Sequence, residues 1–157
     1  MDNTGEKNPT LIDESRRRRF EEAWVAGTPL PLAECLPDAD ATEYLTTLEE
    51  LVHIQLEFAW KAHAKGGERP TDIEALLREF TVLDDEDVLL RLLRQEYHCR
   101  ETAGDSPSAD DYRRAFPELD LDSRRRESLY DHYLSKWRLR AHLQPVTFVC
   151  QHRFIGR

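Results

Sequence analysis

The chain has 157 residues, a length that suits one domain, with 39% hydrophobic residues, 34% charged residues and a formal net charge of −9. A negative field of this size repels nucleic acid and anionic membrane surfaces, so the composition argues against both as partners. No stretch approaches the ~20 apolar residues that cross a bilayer. The polar N-terminus shows no signal sequence, so we expect a cytoplasmic protein.

The first 36 residues predict a tail, a helix and a turn. Residues 1–11 are polar and contain glycine and proline, as frayed termini do. A helix is predicted from Asp13 to Ala26, because Phe20 and Trp24 share one face and Gly27 suits the position that ends a helix. A short turn is predicted over residues 32–36, between two prolines.

A second long helix is predicted from Ala41 to Ala64. Asp40 can cap it, and Glu43 stands where a capping-box partner belongs. Its apolar residues recur at steps of three and four, which predicts one buried stripe: Leu45, Leu48, Val52, Leu56 and Ala59. The pair Gly66-Gly67 ends the helix.

Two short helices and two more long ones follow. Thr71 and Glu74 form a capping box for a short helix that ends near Phe80. A third long helix begins after Asp84 and Asp85 and ends at Gly104, with three residues on one face: Leu89, Leu93 and Tyr97. A second short helix is predicted over 108–116, opened by a capping box of Ser108 and Asp111. The last long helix is predicted over 123–143.

The predicted fold class is therefore all-α. It is an irregular helical bundle of three to four long helices with short intervening helices, over residues 12–143. Residues 144–157 alternate β-branched and aromatic with polar residues, which predicts an extended tail.

One unit recurs along the helices: a long helix, a glycine-containing loop, a proline and a short capped helix. Its three copies cover residues 20–36, 56–80 and 95–119. Segment 67–71 (Gly-Glu-Arg-Pro-Thr) aligns with segment 104–108 (Gly-Asp-Ser-Pro-Ser). Phe80 then matches Phe116 after a slip of one residue. We expect three helix–loop–short-helix units with irregular spacing.

Candidate catalytic and metal-binding residues lack the spacing that chemistry requires. The cysteines lie far apart and form no C-x-x-C pair, so reduced structural thiols are expected: Cys35, Cys99 and Cys150. The histidines show neither H-E-x-x-H nor finger spacing: His53, His63, His98, His132, His142 and His152. We therefore predict no catalytic residue, no cofactor-binding residue and no metal ligand.

Charged and aromatic clusters fit folding better than a site. The acidic runs 84–87 and 110–111 stand at helix starts, where carboxylates cap helices and favour the dipole. The arginine runs 16–19 and 124–126 are flanked by acids, which predicts ion pairs on helix faces. Three tryptophans have helical neighbours and are assigned to the core rather than to a binding groove: Trp24, Trp60 and Trp137.

Four segments carry a resemblance to a known family. Phe20-Glu21-Glu22-Ala23-Trp24 with Gly27 resembles the F-E-x-x-W-x-x-G segment near the start of planctomycete-type serine/threonine protein kinases. Segments 67–71 and 111–118 are similar to that family's G-E-R-P-[ST]-x-E-x-Y-x-x-R-F-P-E motif, copies of which precede the kinase domain. Residues 152–157 resemble the chain that leads into the first kinase strand. The kinase's own Gly-rich loop, V-A-I-K lysine, H-R-D and D-F-G motifs are missing from the sequence.

The resemblance implies a function without catalysis. It implies a protein-interaction or regulatory module, in which residues 12–143 form a helical repeat domain and 144–157 a linker toward a kinase domain that the chain lacks. The partner would be another protein or a kinase domain in cis, with no cofactor and no small-molecule substrate. Two alternatives stay open: a fragment of an ATP-dependent kinase, and a helical nucleic-acid binder that uses Arg16 to Arg19.

Overall fold

The computed structural model describes residues 11–119. Five α-helices and two 3-10 turns follow one another there: α1 (Glu14–Val25), a first turn (Leu32–Cys35), α2 (Tyr44–Ala64), α3 (Ile73–Glu79), a second turn (Thr81–Leu83), α4 (Glu86–Thr102) and α5 (Ala109–Ala115). This part of the chain contains no strand, so the all-α prediction is confirmed for it. No helix within it has the length and apolar character to span a membrane. The predicted helix over 123–143, the tail over 144–157 and residues 1–10 lie outside the described residues.

Helix α2 is the centre of the described fold. Helices α1 and α4 and both 3-10 turns pack against it. Residues 47–54 are all buried, and eight successive residues make more than two helical turns, so every face of this stretch is covered.

The prediction of one buried stripe on α2 is therefore too narrow. Leu48, Val52 and Leu56 are buried as expected, whereas Leu45 and Ala59 are only half-buried. The apolar Leu51 and Ile54 on the remaining faces are buried too, and so are four polar side chains: Thr47, Glu49, Glu50 and His53. Periodicity identifies the most apolar face of a helix, but it does not reveal that neighbours pack against the other faces as well.

Helix α2 also begins at Tyr44 rather than at Ala41, and Asp40 does not cap it. Two turns occupy the chain ahead of the helix. In the first, the Ala41 N–H donates to the Asp38 carbonyl at 2.9 Å, and in the second the Tyr44 N–H donates to the Ala41 carbonyl at 3.1 Å. Glu43 stands at the N-cap position without capping through its side chain. The Asp40–Glu43 capping box is thus wrong, because these turns satisfy the local N–H groups first.

Helices α1 and α4 start at the predicted acids. Asp13 Oδ1 accepts hydrogen bonds from the backbone N–H groups of Ser15 and Arg16 at 3.2 and 3.1 Å. Asp85 Oδ1 accepts from the N–H groups two and three residues later, both at 3.1 Å. Each carboxylate satisfies two of the donors that a helix start leaves open.

Helix α3 is capped by Asp72 and not by Thr71. Asp72 Oδ1 accepts from the Ala75 N–H at 2.8 Å, so Glu74 is one position too early for a capping box. This correction removes the slip between the two short helices, because Asp72 precedes Phe80 by the same eight residues that separate Ser108 from Phe116.

The two short helices end alike. Phe80 has φ −121° and ψ 78°, and Phe116 has φ −130° and ψ 66°. Their N–H groups donate to the carbonyls four residues earlier, those of Leu76 and Tyr112, at 2.8 and 2.9 Å. Ser108 caps helix α5 as predicted, and its Oγ accepts from the Asp110 N–H at 3.2 Å. Asp111 is paired with Arg114 at 3.3 Å rather than completing a capping box.

Three helices end in the same hydrogen-bonded cap around a glycine. Gly27, Gly66 and Gly104 have φ values of 76°, 93° and 81°, which a residue with a Cβ rarely adopts. The N–H of the following residue donates to the carbonyl five residues back: Thr28 to Ala23 at 3.0 Å, Gly67 to Ala62 at 2.9 Å and Asp105 to Arg100 at 2.9 Å. This is the Schellman pattern. It pairs Gly104 with Gly66, whereas the sequence alignment paired it with Gly67.

Substituting Gly104 tests the cap. We expect Gly104→Ala to lower the free energy of unfolding by about 1–2 kcal/mol, because the left-handed conformation costs a residue with a Cβ about that much. Gly104→Asn is the matched control and should lose clearly less, since asparagine tolerates this conformation. Urea denaturation of the full chain measures both, and equal losses for the two variants would contradict the account.

Candidate functional site

Polar and aromatic side chains converge where the C-terminal half of α4 meets the loop before α3 and helix α5. We call this set the Arg100 cluster, and its members are Trp60, Arg69, Glu96, Arg100, Asp105 and Tyr112. The cluster brings together residues from α2, from α4, from α5 and from the two loops that follow α2 and α4. It joins two segments that the sequence alignment had matched, 67–71 and 104–108.

Arg100 is the hub of this cluster. Its Nε donates to Asp105 Oδ2 at 2.7 Å and its Nη1 to the Tyr112 hydroxyl at 3.1 Å. The guanidinium lies over the Trp60 ring at 5.8 Å and over the Tyr112 ring at 5.6 Å. The hydrogen bond from Arg100 lowers the pKa of Asp105. Charge-assisted and cation–π contacts therefore hold α5 and the preceding loop to α4.

Arg69 completes the cluster from the other loop. Its guanidinium lies 5.4 Å from the centre of the Trp60 ring, and its Nη1 lies 3.4 Å from Asp105 Oδ1. The side chain of Arg69 is 60% exposed, so this long contact adds little stability by itself.

Glu96 is the buried acid of the cluster. Only 6% of its surface is exposed, and the Tyr112 hydroxyl donates to its Oε2 at 3.2 Å. No second hydrogen bond reaches Glu96 from residues 11–119. Burial raises the pKa of this carboxyl. The Tyr112 hydrogen bond and the charges of Arg100 and Arg69 oppose the shift, and the negative charge of Asp72 adds to it. The hydrogen bond and the two nearby arginines thus offset only part of the cost of burying this carboxylate when it is ionised.

A cleft of about 180 Å³ opens beside Glu96, between α3, α4 and α5. Its lining combines acidic side chains with apolar ones and two arginines: Asp72, Glu74, Glu96, Asp111, Ile73, Tyr112, Ala115, Phe116, Arg69 and Arg100. Cofactor and drug-sized sites occupy about 300–1,000 Å³, so the volume suits a single side chain better than a nucleotide.

A second buried cluster joins α2 to α4. Arg91 donates to both carboxylate oxygens of Glu49, from Nε at 2.5 Å and from Nη2 at 3.0 Å. His53 Nε2 lies 3.7 Å from Glu49 Oε1 and is 1% exposed. Burial raises the pKa of Glu49, but the attraction of His53 and then of Arg91 outweighs it, so the pKa lies below its ordinary value.

The two described cysteines are buried thiols. Burial raises the pKa of Cys99 to about 12 and also raises that of Cys35. Thiolate is the reactive form, so neither environment activates a nucleophile. Cys150 lies outside the described residues.

Among the other residues that the sequence singled out, the ring of His63 packs edge-on against that of Trp60 at 5.4 Å. His63 Nδ1 contacts the Gly67 carbonyl at 3.1 Å, and His98 is exposed. Trp60 is buried, while Trp24 is half-buried with its ring stacked 6.0 Å from that of Phe58. Within residues 11–119, no three His, Cys, Asp or Glu side chains are placed to hold a metal ion. The remaining histidines, Trp137 and Arg124 to Arg126 lie outside this range.

Two of the four arginines in the first run make local contacts, whereas Arg18 and Arg19 are exposed. Arg17 contacts Glu14 and Glu21, each at 2.7 Å, and only 12% of its side chain is exposed. Arg16 contacts Asp13 at 3.1 Å and donates to the Leu36 carbonyl at 2.7 Å. Both guanidiniums therefore serve local structure in this part of the chain.

Sequence reasoning missed the residues that matter most in these clusters. Glu96 and Arg100 were never distinguished from the other charges of α4, and the Glu49–Arg91 pair spans two helices. One signal was available, because a glutamate at position 96 falls on the same helical face as Leu89, Leu93 and Arg100. A charged residue within an apolar stripe is a candidate for burial with a partner.

No protein-family model matches the chain, and neither does any curated protein or solved structure. Its function is therefore inferred from its own residues and contacts. Within residues 11–119, the features that bear on function are the Arg100 cluster and the cleft beside it.

The two buried glutamates should affect stability with opposite dependence on pH. The pKa of Glu49 is lowered, so its stabilisation is present above about pH 4.5 and is lost as the pH falls through the folded-state pKa. The pKa of Glu96 is raised, so its stabilising effect is present below about pH 4.5 and is lost as the pH rises through the folded-state pKa.

Glu49→Gln and Glu96→Gln are matched substitutions for this test. We expect Glu49→Gln to cost about 2 kcal/mol near neutral pH, with a smaller cost in acid. Relative to the parent, Glu96→Gln should instead gain stability as the pH rises from about 4.5. Urea denaturation at several pH values measures both, and parallel pH dependence in the two variants would refute the assignment.

Removing the Tyr112 hydroxyl should loosen α5. Tyr112→Phe leaves Glu96 without its donor and Arg100 without one acceptor, so we expect a loss of about 1–2 kcal/mol. Tyr97→Phe is the control, because that ring lies 5.9 Å away but its hydroxyl makes no hydrogen bond within the described residues. Similar unfolding free energies for the two variants would show that the hydroxyl contacts are unimportant.

Proposed function

We propose that this chain is a non-catalytic protein-interaction or regulatory module of the kind that precedes a bacterial serine/threonine kinase domain. The observation that carries the proposal is that residues of the motifs and of the repeated unit are buried or cap helices. Phe20 is fully buried, Tyr112 is 8% exposed, and Gly27 and Gly104 form helix caps. These residues build a scaffold, and a scaffold acts through the surfaces that it presents.

The repeated local geometry supports the same proposal. Three helices end in one kind of glycine cap, and two short helices share their length from cap to terminal phenylalanine. A chain made of such units adds exposed helix faces without adding a catalytic centre, as repeat proteins that bind other proteins do. We infer a helical repeat region that acts in the cytoplasm on a protein partner or on a kinase domain in cis.

Two other functions fit the described contacts less well. Binding of nucleic acid through Arg16 to Arg19 would draw on four guanidiniums, and two of them, those of Arg16 and Arg17, contact carboxylates instead. Phosphotransfer by the chain itself would need residues that hold ATP and magnesium, and the kinase motifs that do so do not occur in the sequence. Kinase activity would belong to a longer parent protein.

Sequencing of the gene and phosphotransfer assays on the proteins test the proposal. We expect the reading frame to continue past the Arg157 codon into a Gly-rich loop and the other kinase motifs. The longer protein should phosphorylate itself, whereas the 157-residue chain should transfer no phosphate from ATP with magnesium. Deleting residues 11–119 from the longer protein should change the rate of phosphorylation of a protein substrate while ATP binding persists.

The controls separate the possible results. An inactive longer protein, made by replacing its own catalytic aspartate, gives the background of the assay. A stop codon without any kinase frame would contradict the proposal. So would phosphotransfer by the 157-residue chain, or a deletion that leaves substrate phosphorylation unchanged.

A further inference from the structure

The cleft beside α4 contains an acid with unused hydrogen-bonding capacity. Glu96 is 6% exposed and accepts one hydrogen bond, from the Tyr112 hydroxyl, within residues 11–119. An ionised carboxylate offers about four acceptor sites, and buried carboxylates are as a rule paired with a cation or with several donors. Glu96 therefore keeps acceptor sites in the cleft that no donor among residues 11–119 occupies.

The two arginines of the lining attract Glu96, but their donors are directed at other partners. Arg100 gives its Nε to Asp105 and its Nη1 to the Tyr112 hydroxyl, and Arg69 lies against Trp60 and Asp105. Neither forms a salt bridge with Glu96. Because Asp72, Glu74 and Asp111 also line the cleft, its carboxylates outnumber its guanidiniums.

We propose that this cleft receives an arginine side chain of a partner protein, whose guanidinium pairs with Glu96. The inference rests on the proposed interaction function and names the chemistry of the partner. A guanidinium presents five donors in a planar fork that suits a carboxylate, and it is weakly hydrated enough to enter a buried site. The aliphatic stem of the side chain would lie on Ile73 and Phe116.

Size and charge exclude nucleotides, large cofactors and anions as occupants. A cleft of about 180 Å³ accepts one long side chain and is too small for a nucleotide or a large cofactor. A phosphate or carboxylate would meet the repulsion of Glu96 and of the three neighbouring acids. The rim acids Asp72 and Glu74 are exposed, so they attract a cationic segment without being desolvated.

Peptide titration of the full-length chain tests the proposal. The probe is acetyl-Ala-Arg-Ala-amide, followed by the backbone amide signals of the ¹⁵N-labelled protein. We expect saturable shifts at Ile73, Ala115 and Phe116. The citrulline peptide keeps the shape and removes the charge, so it should bind about tenfold more weakly, since one lost charged pair is worth roughly that factor.

Two variants with the same change of charge locate the contact. Glu96→Gln should weaken the arginine peptide about tenfold. Glu34→Gln changes an exposed acid in the first 3-10 turn, away from the lining of the cleft, and should leave the affinity unchanged. If Glu96→Gln disturbs the fold, the comparison of arginine and citrulline peptides on the parent chain still decides the question.

Four results would overturn the inference: no saturable shift, equal binding of the citrulline peptide, an undiminished affinity in a folded Glu96→Gln variant, or tighter binding of acetyl-Ala-Asp-Ala-amide or spermidine at the same amides. These results bear on the cleft alone. The reading frame beyond Arg157 bears on the kinase-associated function, so failure of one proposal is distinguishable from failure of the other.

Discussion

The complete enclosure of α2 over residues 47–54 is the constraint on which the described fold depends. A helix buried on all faces must satisfy its polar side chains with partners from neighbouring elements. Thr47 Oγ1 accepts from the Asp13 N–H at 3.0 Å, which fixes the start of α1, and Glu49 receives the guanidinium of Arg91 from α4. The polar residues of α2 therefore set the position of the helices packed on it.

The same principle explains the Arg100 cluster at the far end of α4. Burying Tyr112 docks the short helix α5, in which it is the one buried residue, and its hydroxyl then bridges Glu96 and Arg100. Residues that a motif search would assign to function thus stabilise the fold in the described region. What is left for binding is the buried carboxylate of Glu96, which accepts one hydrogen bond within residues 11–119, and the cleft beside it.

Sequence alone predicted the features that depend on local chemistry. The starts at Asp13, Asp85 and Ser108 and the glycine ends were found, because caps and left-handed glycines act within a few residues. Choosing between Thr71 and Asp72 required tertiary information, since both can cap and the packing of buried Ile73 and Leu76 decides the register. The width of the α2 core and the Glu49–Arg91 pair depend on contacts across helices, which periodicity does not encode.

Native-state hydrogen exchange measures the central constraint most directly. The amides of residues 47–54 should exchange only through global unfolding, with a free energy equal to that from denaturant titration, while those of α5 should exchange through a cheaper local opening. Exchange of the 47–54 amides at or below the free energy found for α5 would show that α2 is not the enclosed centre of the fold.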